Sequence, residues 1–341
     1  MNRVSIELKA TGCLLGIVVL TACGVSGPVS EIGGRSVAPL SADTAAMLPA
    51  ALEGQLYDAH FQLQSVSPDH RAQGALIFEQ LGTRATPALA ALEDSLHDPA
   101  FYVGTRAAIA LSRIGEQALP HLQRALGDAK AQVRELAALA VGRMGQGGNA
   151  LAEPIAALLR DEDVDVRDRA AHALAQLDAD VALSLLRQQM LHPRVDVRAA
   201  ATYGLKWLGR AAAPAQADLI AALIPSEHVS VRTSAAAALG NIGESGITEL
   251  CAMLDSGRPL QEHEMAAFAL QYLHRKAARP LARVVLESVD EATRLRALAI
   301  LERIGPRARK AERLLSVVQA DVNLSPAMVE ALASTLAALR R

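Results

Sequence analysis

Aromatic side chains are scarce in this chain: phenylalanine, tyrosine and tryptophan together make up 3% of its 341 residues, and there is one tryptophan. Alanine is abundant instead, with 68 copies in the 341 residues. Strands favour aromatic and β-branched residues, whereas alanine has the highest helix propensity. We therefore expect an all-α fold of closely packed helices, and the composition argues against a β-sandwich or a β-barrel.

An excess of charge of either sign is also missing. The chain has 34 lysines and arginines against 36 aspartates and glutamates, a formal net charge of −2. Proteins that bind nucleic acid without sequence preference carry a basic surface excess that attracts phosphates. The balance therefore predicts no nucleic-acid partner.

The N-terminus has the pattern of a secretory signal over residues 1–22. Arg3 and Lys9 precede an apolar run at residues 14–20. The stretch from Ala10 to Ala22 has 13 residues, too few to span roughly 30 Å of hydrocarbon as a helix. A cleaved signal explains this length better than a membrane span.

The signal ends in Leu20-Thr21-Ala22-Cys23, which resembles the lipobox of bacterial lipoproteins. The resemblance implies that Cys23 is the first residue of the mature chain and carries a diacylglycerol and a further fatty acid such as palmitate. Gly24 in place of an aspartate implies delivery to the outer membrane of the cell envelope, facing the periplasm. An ordinary cleaved signal or an uncleaved anchor is the alternative.

Three segments follow from this reading. Residues 1–22 are the signal, residues 23–50 are a flexible tether rich in Gly, Ser, Pro and Ala, and residues 51–341 hold the repeats described next. Of the three cysteines, Cys13 leaves with the signal and Cys23 is acylated. Cys251, between apolar neighbours, is then expected to be a buried structural thiol.

A Val-Arg motif recurs along the chain at intervals of about 30 residues. The clearest copy starts at Val231-Arg232, and successive arginine positions are 33, 30, 33, 31, 34, 31 and 31 residues apart. Apolar residues fall at positions −1, +3, +6, +7 and +10 from the arginine, within about a 100° arc of one helix face. The eight positions are Arg71, Gly104, Arg134, Arg167, Arg198, Arg232, His263 and Arg294.

Each copy is expected to be a helical hairpin. A glycine often follows the last apolar position, where a left-handed residue ends a helix; these glycines are Gly82, Gly115, Gly145, Gly209, Gly243 and Gly305. A second amphipathic segment then begins with a proline in its first turn, where the missing N–H costs nothing. These prolines are Pro87, Pro120, Pro154, Pro214 and Pro280.

The motif resembles the HEAT-like repeats first recognised in phycobilisome lyases, from about Leu52 to Ile304, with a degenerate last unit to Leu339. The resemblance implies an α-solenoid of about eight to nine hairpins, with the Val-Arg helices on the concave side. Small residues at position +4 would let neighbouring hairpins approach closely. This column reads Ala75, Ala108, Ala138, Ala171, Thr202, Ala236, Ala267 and Leu298.

The arginine column has a structural and a functional interpretation. An acidic residue usually precedes each arginine in the turn, as Asp196 and Glu227 do. We expect a structural ladder of ion pairs and turn hydrogen bonds rather than a basic binding stripe, because paired charges cancel. The ladder residues are Arg71, Arg134, Arg167, Arg198, Arg232 and Arg294.

Positions +1, +5, +8 and +9 point away from the predicted core. Tyr203 and Trp207 hold positions +5 and +9 of one copy, and Phe268 and Tyr272 hold them two copies later. The intervening copy has Ala237 and Asn241 there, which would form the floor of an aromatic cleft suited to a partner. The candidate partner-binding residues are Tyr203, Trp207, Ala237, Asn241, Phe268 and Tyr272; packing of these aromatics into gaps between helices is the alternative.

His263-Glu264 resembles a His-Glu pair of deoxyhypusine hydroxylase, a HEAT-like enzyme with two irons. That enzyme surrounds its metals with several such pairs, and this chain has one. One histidine and one carboxylate cannot fill a di-iron site. The sequence therefore predicts no enzyme activity, no metal and no cofactor.

These observations predict a membrane-tethered, extracytoplasmic scaffold that binds a protein partner on its concave face. The second hypothesis is a carrier or sensor of a small or lipid-like ligand in the aromatic cleft, and the remote third is a metal-dependent, hydroxylase-like enzyme. The sequence leaves the partner's identity and the oligomeric state open.

Overall fold

The computed structural model describes residues 50–321 and 323–341, and within them it contains helices and turns but no strand. The predicted all-α fold is therefore confirmed. The signal (residues 1–22), Cys23 and the tether up to residue 49 lie outside the described residues. None of the described helices combines the length and apolar composition that crossing a bilayer requires.

The chain divides into two compact units after Ala125. The first unit consists of α1 (Ala50–Leu63), α2 (Pro68–Leu81), α3 (Leu89–Ser95) and α4 (Phe101–Ile114), followed by α5 (Leu119–Leu126), which spans the division. In this unit α2 packs against α1 and α4, and α3 packs against α4. The two Val-Arg-type helices α2 and α4 thus form the centre of the unit.

The second unit repeats one arrangement, in which each Val-Arg helix packs against the next. Its Val-Arg helices are α6 (Ala131–Met144), α8 (Val164–Leu174), α10 (Val195–Leu208), α12 (Val229–Ile242), α14 (Leu260–Leu273) and α16 (Glu291–Ile304). The helices between and after them are α7 (Ala152–Ala157), α9 (Ala179–Gln189), α11 (Gln216–Ala221), α13 (Glu244–Ala252), α15 (Ala278–Glu287), α17 (Glu312–Gln319) and α18 (Pro326–Arg340). The helical hairpin predicted from the repeat is thus the building block.

The predicted apolar face is the buried face. In α12 the side chains at positions −1, +3, +6, +7 and +10 are at most 6% exposed; they are Val231, Ala235, Ala238, Leu239 and Ile242. Position +4 is also fully buried in seven of its eight copies, from Ala75 through Ala236 to Leu298, whereas Ala267 is half-buried. Small side chains at this position let adjacent helices lie close together, which is how a hairpin buries the face that it cannot bury alone.

A glycine follows six of the eight Val-Arg helices, and it has the positive φ that the sequence predicts. Within the described residues, the glycines with positive φ are the six predicted ones, with φ between 56° and 113°. Their ψ values lie between −123° and −145° rather than in the left-handed helical well. A side chain is strongly disfavoured in that region, so glycine is needed there more strictly than at an ordinary helix C-terminus.

The prolines occupy two kinds of site. Pro120, Pro154 and Pro280 lie in the first turns of α5, α7 and α15, as predicted. Pro87 and Pro214 instead lie inside 3₁₀ segments, Gly82–Ala88 and Gly209–Ala215, that precede α3 and α11. The chain winds through a tighter turn after the glycine there, so the α-helix begins later than the proline.

Candidate functional site

Position +9 of the repeat is exposed in seven of its eight copies, all except the half-buried Asn241. Trp207 on α10 is 47% exposed and Tyr272 on α14 is 44% exposed. Position +5 lies one turn earlier and is half-buried at His172, Tyr203 and Phe268. The periodicity of the helix therefore presents one half-buried and one exposed side chain on the same side of each helix.

Three of these rings meet between α8 and α10. The ring of His172 contacts that of Trp207 edge-on, with centroids 4.7 Å apart and an interplanar angle of 88°. Tyr203 and Trp207 are also edge-on, 6.0 Å apart at 86°. Edge-to-face contacts place the positive ring edge on the negative ring face, which fixes the indole without burying it.

The half-buried Lys206 lies near both rings of α10. Its Nζ is 4.8 Å from the centroid of the Tyr203 ring and 5.5 Å from that of Trp207. An ammonium at this distance is attracted to the negative face of an aromatic ring. The two rings therefore already interact with a cation of the same chain.

These side chains border a surface pocket of about 290 Å³, here called the Trp207 pocket. All of its lining residues belong to the second unit, on α6, α8 and α10. They are Glu135, Asp165, Asp168, Arg169, His172, Tyr203 and Trp207. The pocket is thus aromatic at one wall and charged at the other.

The charged wall contains one ion pair and two further carboxylates. Arg169 Nη2 donates to Glu135 Oε1 at 3.0 Å, and its Nε donates to the same oxygen at 3.3 Å. Asp165 and Asp168 lie three residues apart on α8. Within the described residues, neither carboxylate accepts a hydrogen bond or forms an ion pair, so the acidic wall is only partly neutralised.

Loss of hydration shifts two groups of the pocket. It raises the pKa of the Asp168 carboxyl, against the smaller lowering by the positive charges of Arg167 and Lys206. It also lowers the pKa of the His172 imidazole, and the nearby positive charge of Arg169 lowers it further. Both shifts disfavour the charged form of a group that faces the pocket.

The other predicted partner-binding residues do not line this pocket. Ala237 is buried, and the Asn241 amide donates to the Lys206 carbonyl at 3.0 Å and accepts from Lys276 at 2.6 Å. The guanidinium of Arg232 covers the Phe268 ring, 3.9 Å from its centroid. Tyr203 and Trp207 therefore border a space on the side of α8 and α6, which are earlier in the chain.

Sequence reasoning missed the charged wall of the pocket. Glu135 and Asp168 both occupy position +1, which the repeat register had placed on the outward side. Asp165 and Arg169 lie at positions −2 and +2, where the register gives no signal. Scanning position +1 for charge next to the aromatic positions would have found half of the wall.

The arginine column forms the most regular polar feature of each unit. Arg134 donates from Nε and Nη2 to both carboxylate oxygens of Asp161 at 2.7 Å, and from Nη1 to the carbonyls of Asp128 and Ala129. Arg198 makes the same contacts with Glu227 and the carbonyls of His192 and Pro193. In both cases one guanidinium joins the turn before its helix to the turn that leads into the next repeat.

Arg71 follows this pattern in the first unit, where it pairs with Asp98 and donates to the carbonyls of Ser65 and Val66. The three others depart from it. Arg167 keeps the two turn carbonyls, but Asp196 is 3.6 Å away. Arg232 and Arg294 each donate to a single carbonyl, of Leu223 and Val285, and have no ion pair within the described residues.

His263 occupies the arginine position of its repeat and makes an arginine-like contact. Its ring is buried, and Nε2 donates to the Asp255 carbonyl at 2.8 Å, while Glu264 is exposed. Within the described residues, no group of three or more His, Cys, Asp or Glu side chains is placed to hold a metal ion. Burial raises the pKa of the Cys251 thiol to about 12.

Comparison with known families identifies the repeats. Residues 61–142 and 123–206 match HEAT repeats, and residues 231–256 match the PBS lyase HEAT-like repeat. No curated protein matches the chain in sequence.

Several solved structures are distantly similar. The complex of CpcE and CpcF of phycocyanin lyase from Nostoc sp. PCC7120 has 22% identity and a TM-score of 0.35, covering 79% of this chain and 100% of that one. Human deoxyhypusine hydroxylase in complex with glycerol has 22% identity and a TM-score of 0.33, covering 76% and 99%. An engineered protein has 17% identity and a TM-score of 0.33, covering 88% and 93%.

TM-scores this low carry no information about activity. The family matches, together with helices that repeat in the predicted register, lead to one conclusion: this chain has an all-α fold of the solenoid class, with HEAT repeats in residues 61–206 and a PBS lyase HEAT-like repeat in residues 231–256.

Proposed function

We propose that this protein is a membrane-tethered, extracytoplasmic scaffold that binds a protein partner at the Trp207 pocket. The observation that supports this most directly is the exposure of Trp207 itself. In a chain with 3% aromatic residues, the single tryptophan is 47% exposed and held edge-on by His172. Tryptophan and tyrosine at fixed, accessible positions are the side chains that most often dominate protein–protein binding.

The chemistry of the pocket favours a protein side chain over a lipid-like ligand. Four of its seven lining residues carry charge: Glu135, Asp165, Asp168 and Arg169. Pockets for apolar ligands are mostly lined by hydrophobic and aromatic side chains. A volume of about 290 Å³ fits the end of one or two side chains, with the rest of the partner lying across the adjoining helices.

The membrane tether is proposed from the resemblance of Leu20-Thr21-Ala22-Cys23 to a lipobox. Cys23→Ser removes the thiol that would accept the lipid. We expect the variant to lose lipoprotein processing and most of its membrane association, because several acyl chains together anchor a protein that one chain holds weakly. Fractionation of cells at high salt tests this, and a variant that stays with the membranes contradicts it.

The proposal excludes an enzyme of the hydroxylase type. The one resembling pair is divided, because His263 is buried against the Asp255 carbonyl while Glu264 faces solvent. Metal analysis of the purified full chain provides the test, and a stoichiometric iron content would contradict this part of the proposal.

Site-specific crosslinking tests the scaffold function in intact cells. A photoreactive phenylalanine at Tyr203 should crosslink one protein reproducibly, and the same residue at Tyr57, an exposed tyrosine of the first unit, should not. Trp207→Ala should then weaken binding of that protein about thirtyfold, as loss of an aromatic hot spot typically does. Phe61→Ala, which removes a 61% exposed aromatic elsewhere, is the matched control and should leave binding unchanged.

Substitutions in the arginine column should act differently. Arg134 and Arg198 are engaged by turns of their own unit, so their removal should lower stability and leave affinity close to that of the parent. Full partner binding by a Trp207→Ala/Tyr203→Ala double variant would move the interface away from this pocket.

A further inference from the structure

We infer that the Trp207 pocket receives a cationic side chain, lysine or arginine, from the partner. This inference rests on the proposed function and specifies the chemistry of the group that enters the pocket. It follows from three features: two carboxylates that form no ion pair within the described residues, aromatic faces that already attract a cation, and the position of Lys206.

The pocket has more carboxylates than cations in its lining. Glu135, Asp165 and Asp168 line the pocket against a single lining cation, Arg169. Arg169 is paired with Glu135, to which it donates two hydrogen bonds. Asp165 and Asp168 are therefore left without an ion-pair partner within the described residues. A partner that supplies a positive charge satisfies both.

Asp168 lines the pocket with a solvent-accessible carboxylate. Partial loss of hydration raises the pKa of this carboxyl, and within the described residues it accepts no hydrogen bond. An ammonium or guanidinium from the partner would form a charge-assisted hydrogen bond with it. A carboxylate from the partner would be repelled, and a purely apolar group would form no such bond.

The aromatic wall has the matching chemistry. Lys206 Nζ lies 4.8 Å from the Tyr203 ring and 5.5 Å from the Trp207 ring. It forms no ion pair with Asp168 or Asp165 within 4.0 Å in the described part of the chain. Its positive charge nevertheless lowers the pKa of Asp168, so Lys206 acts on both the rings and the acid and occupies the place that a partner's cation would take.

Lysine and arginine suit this arrangement because each joins an apolar stem to a charged end. The stem can lie along the indole of Trp207 while the charge reaches Asp165 and Asp168, one turn apart on α8. Displacement of Lys206 from the rings is part of binding, so Lys206 competes with the incoming group.

Peptide titration of the full chain in mild detergent tests the inference. The probes are acetyl-Gly-X-Gly-amide peptides in which X is lysine, arginine, norleucine or glutamate, at constant ionic strength. Trp207 is the only tryptophan, so its fluorescence reports the pocket directly. The lysine and arginine peptides should bind at least tenfold more tightly than the norleucine and glutamate peptides, and added salt should weaken them.

Variants separate the contributions of the pocket residues. Asp165→Asn and Asp168→Asn should each weaken the lysine peptide at least fivefold, and Lys206→Gln should strengthen it. Asp180→Asn is the matched control, because Asp180 is an exposed carboxylate in the first turn of α9, outside the pocket. Thermal unfolding of each variant shows whether it folds, and the Lys206→Gln gain cannot arise from misfolding.

The possible results separate the cation site from the scaffold function. Equal binding of norleucine and lysine peptides, or no change in Asp165→Asn and Asp168→Asn, overturns the cation site. A crosslinked partner whose affinity is unaffected by Asp168→Asn overturns the cation site and leaves the scaffold function intact. Tight lysine binding without any crosslinked protein supports the site and overturns the scaffold function.

Discussion

The imidazole of His172 stands edge-on against the indole of Trp207, with ring centroids 4.7 Å apart and an interplanar angle of 88°. His172 belongs to α8 and Trp207 to α10, so the contact joins two consecutive repeats of the second unit. Because Trp207 is the only tryptophan, any change in the state of His172 can be followed through the fluorescence of the whole protein.

The first prediction concerns the titration of this pair. Burial, and then the charge of Arg169, hold the pKa of His172 below 6.5. A protonated imidazole quenches indole emission, so we expect Trp207 fluorescence to fall as the pH drops below 6.5 and His172 becomes charged. His172→Gln should abolish this step; an identical step in the variant would assign it to another group.

The same shift has a consequence for stability. The unfolded chain takes up the proton near pH 6.5, before the folded chain does, so the stability contributed by neutral His172 is present above pH 6.5 and is lost as the pH falls. Urea unfolding at pH 7 and pH 5 should therefore show a smaller acid destabilisation in His172→Gln than in the parent.

The second prediction concerns the arginine column. Arg134→Ala leaves the Asp161 carboxylate and two turn carbonyls without their donor. We expect it to lower the free energy of unfolding by about 3 kcal/mol, as breaking a largely buried ion pair does. Arg294→Ala, which removes a donor from the Val285 carbonyl alone, should cost about 1 kcal/mol. Chemical denaturation measures both; equal losses would mean that the carboxylate contributes nothing.

The third prediction tests the tight column at position +4. Ala236 is fully buried where α12 meets its neighbours, and a leucine there should overpack the contact and destabilise the protein by roughly 1–3 kcal/mol. Ala299→Leu places the same side chain at an exposed position of α16 and should change stability by less than about 0.5 kcal/mol. If the melting curves of the two variants coincide, the repeat register is wrong.

The fourth prediction concerns His274, which stands at the end of its Val-Arg helix where six other repeats have a glycine. His274 has φ 45° and ψ −109°, and it is the only residue other than glycine with positive φ in the described part of the chain. A side chain in this conformation costs about 1–2 kcal/mol.

His274→Gly should therefore raise the free energy of unfolding by about 1 kcal/mol, although it removes the contact between Arg307 and His274 Nε2 at 2.8 Å. His274→Ala is the control, since it loses the same contact and keeps the strain; it should be less stable than both other proteins. A glycine variant no more stable than the alanine variant would contradict the strain argument.

The fifth prediction concerns Cys251, which is buried and whose thiol pKa burial raises to about 12. The thiolate is the reactive form, so the peptide that contains Cys251 should stay unmodified by N-ethylmaleimide at pH 8 in the folded protein and become fully modified in denaturant. Mass spectrometry of that peptide gives the answer, and rapid labelling of the native protein would mean that the site opens.

The repeat register determined most of the secondary structure and the buried face. A spacing of 30 to 34 residues between Val-Arg motifs is sufficient to place the Val-Arg helices, because apolar residues at a helical period must face a core. The six glycines with positive φ followed from the same register, although their ψ angles reflect the 3₁₀ and helical turns that come after them.

Only the tertiary structure decided which side chains share a pocket. Tyr203 and Trp207 could be expected to face outward, but their neighbours Glu135 and Asp168 come from two earlier repeats, and the rotation between packed helices that brings them together has no signal in one sequence. The same holds for the ladder, in which Arg134 pairs with Asp161 of the next turn rather than with Asp163, which caps α8. The sequence by itself therefore determined the helices and their buried faces, because these depend on local periodicity, whereas the packing geometry of neighbouring repeats determined the partner of each charged side chain.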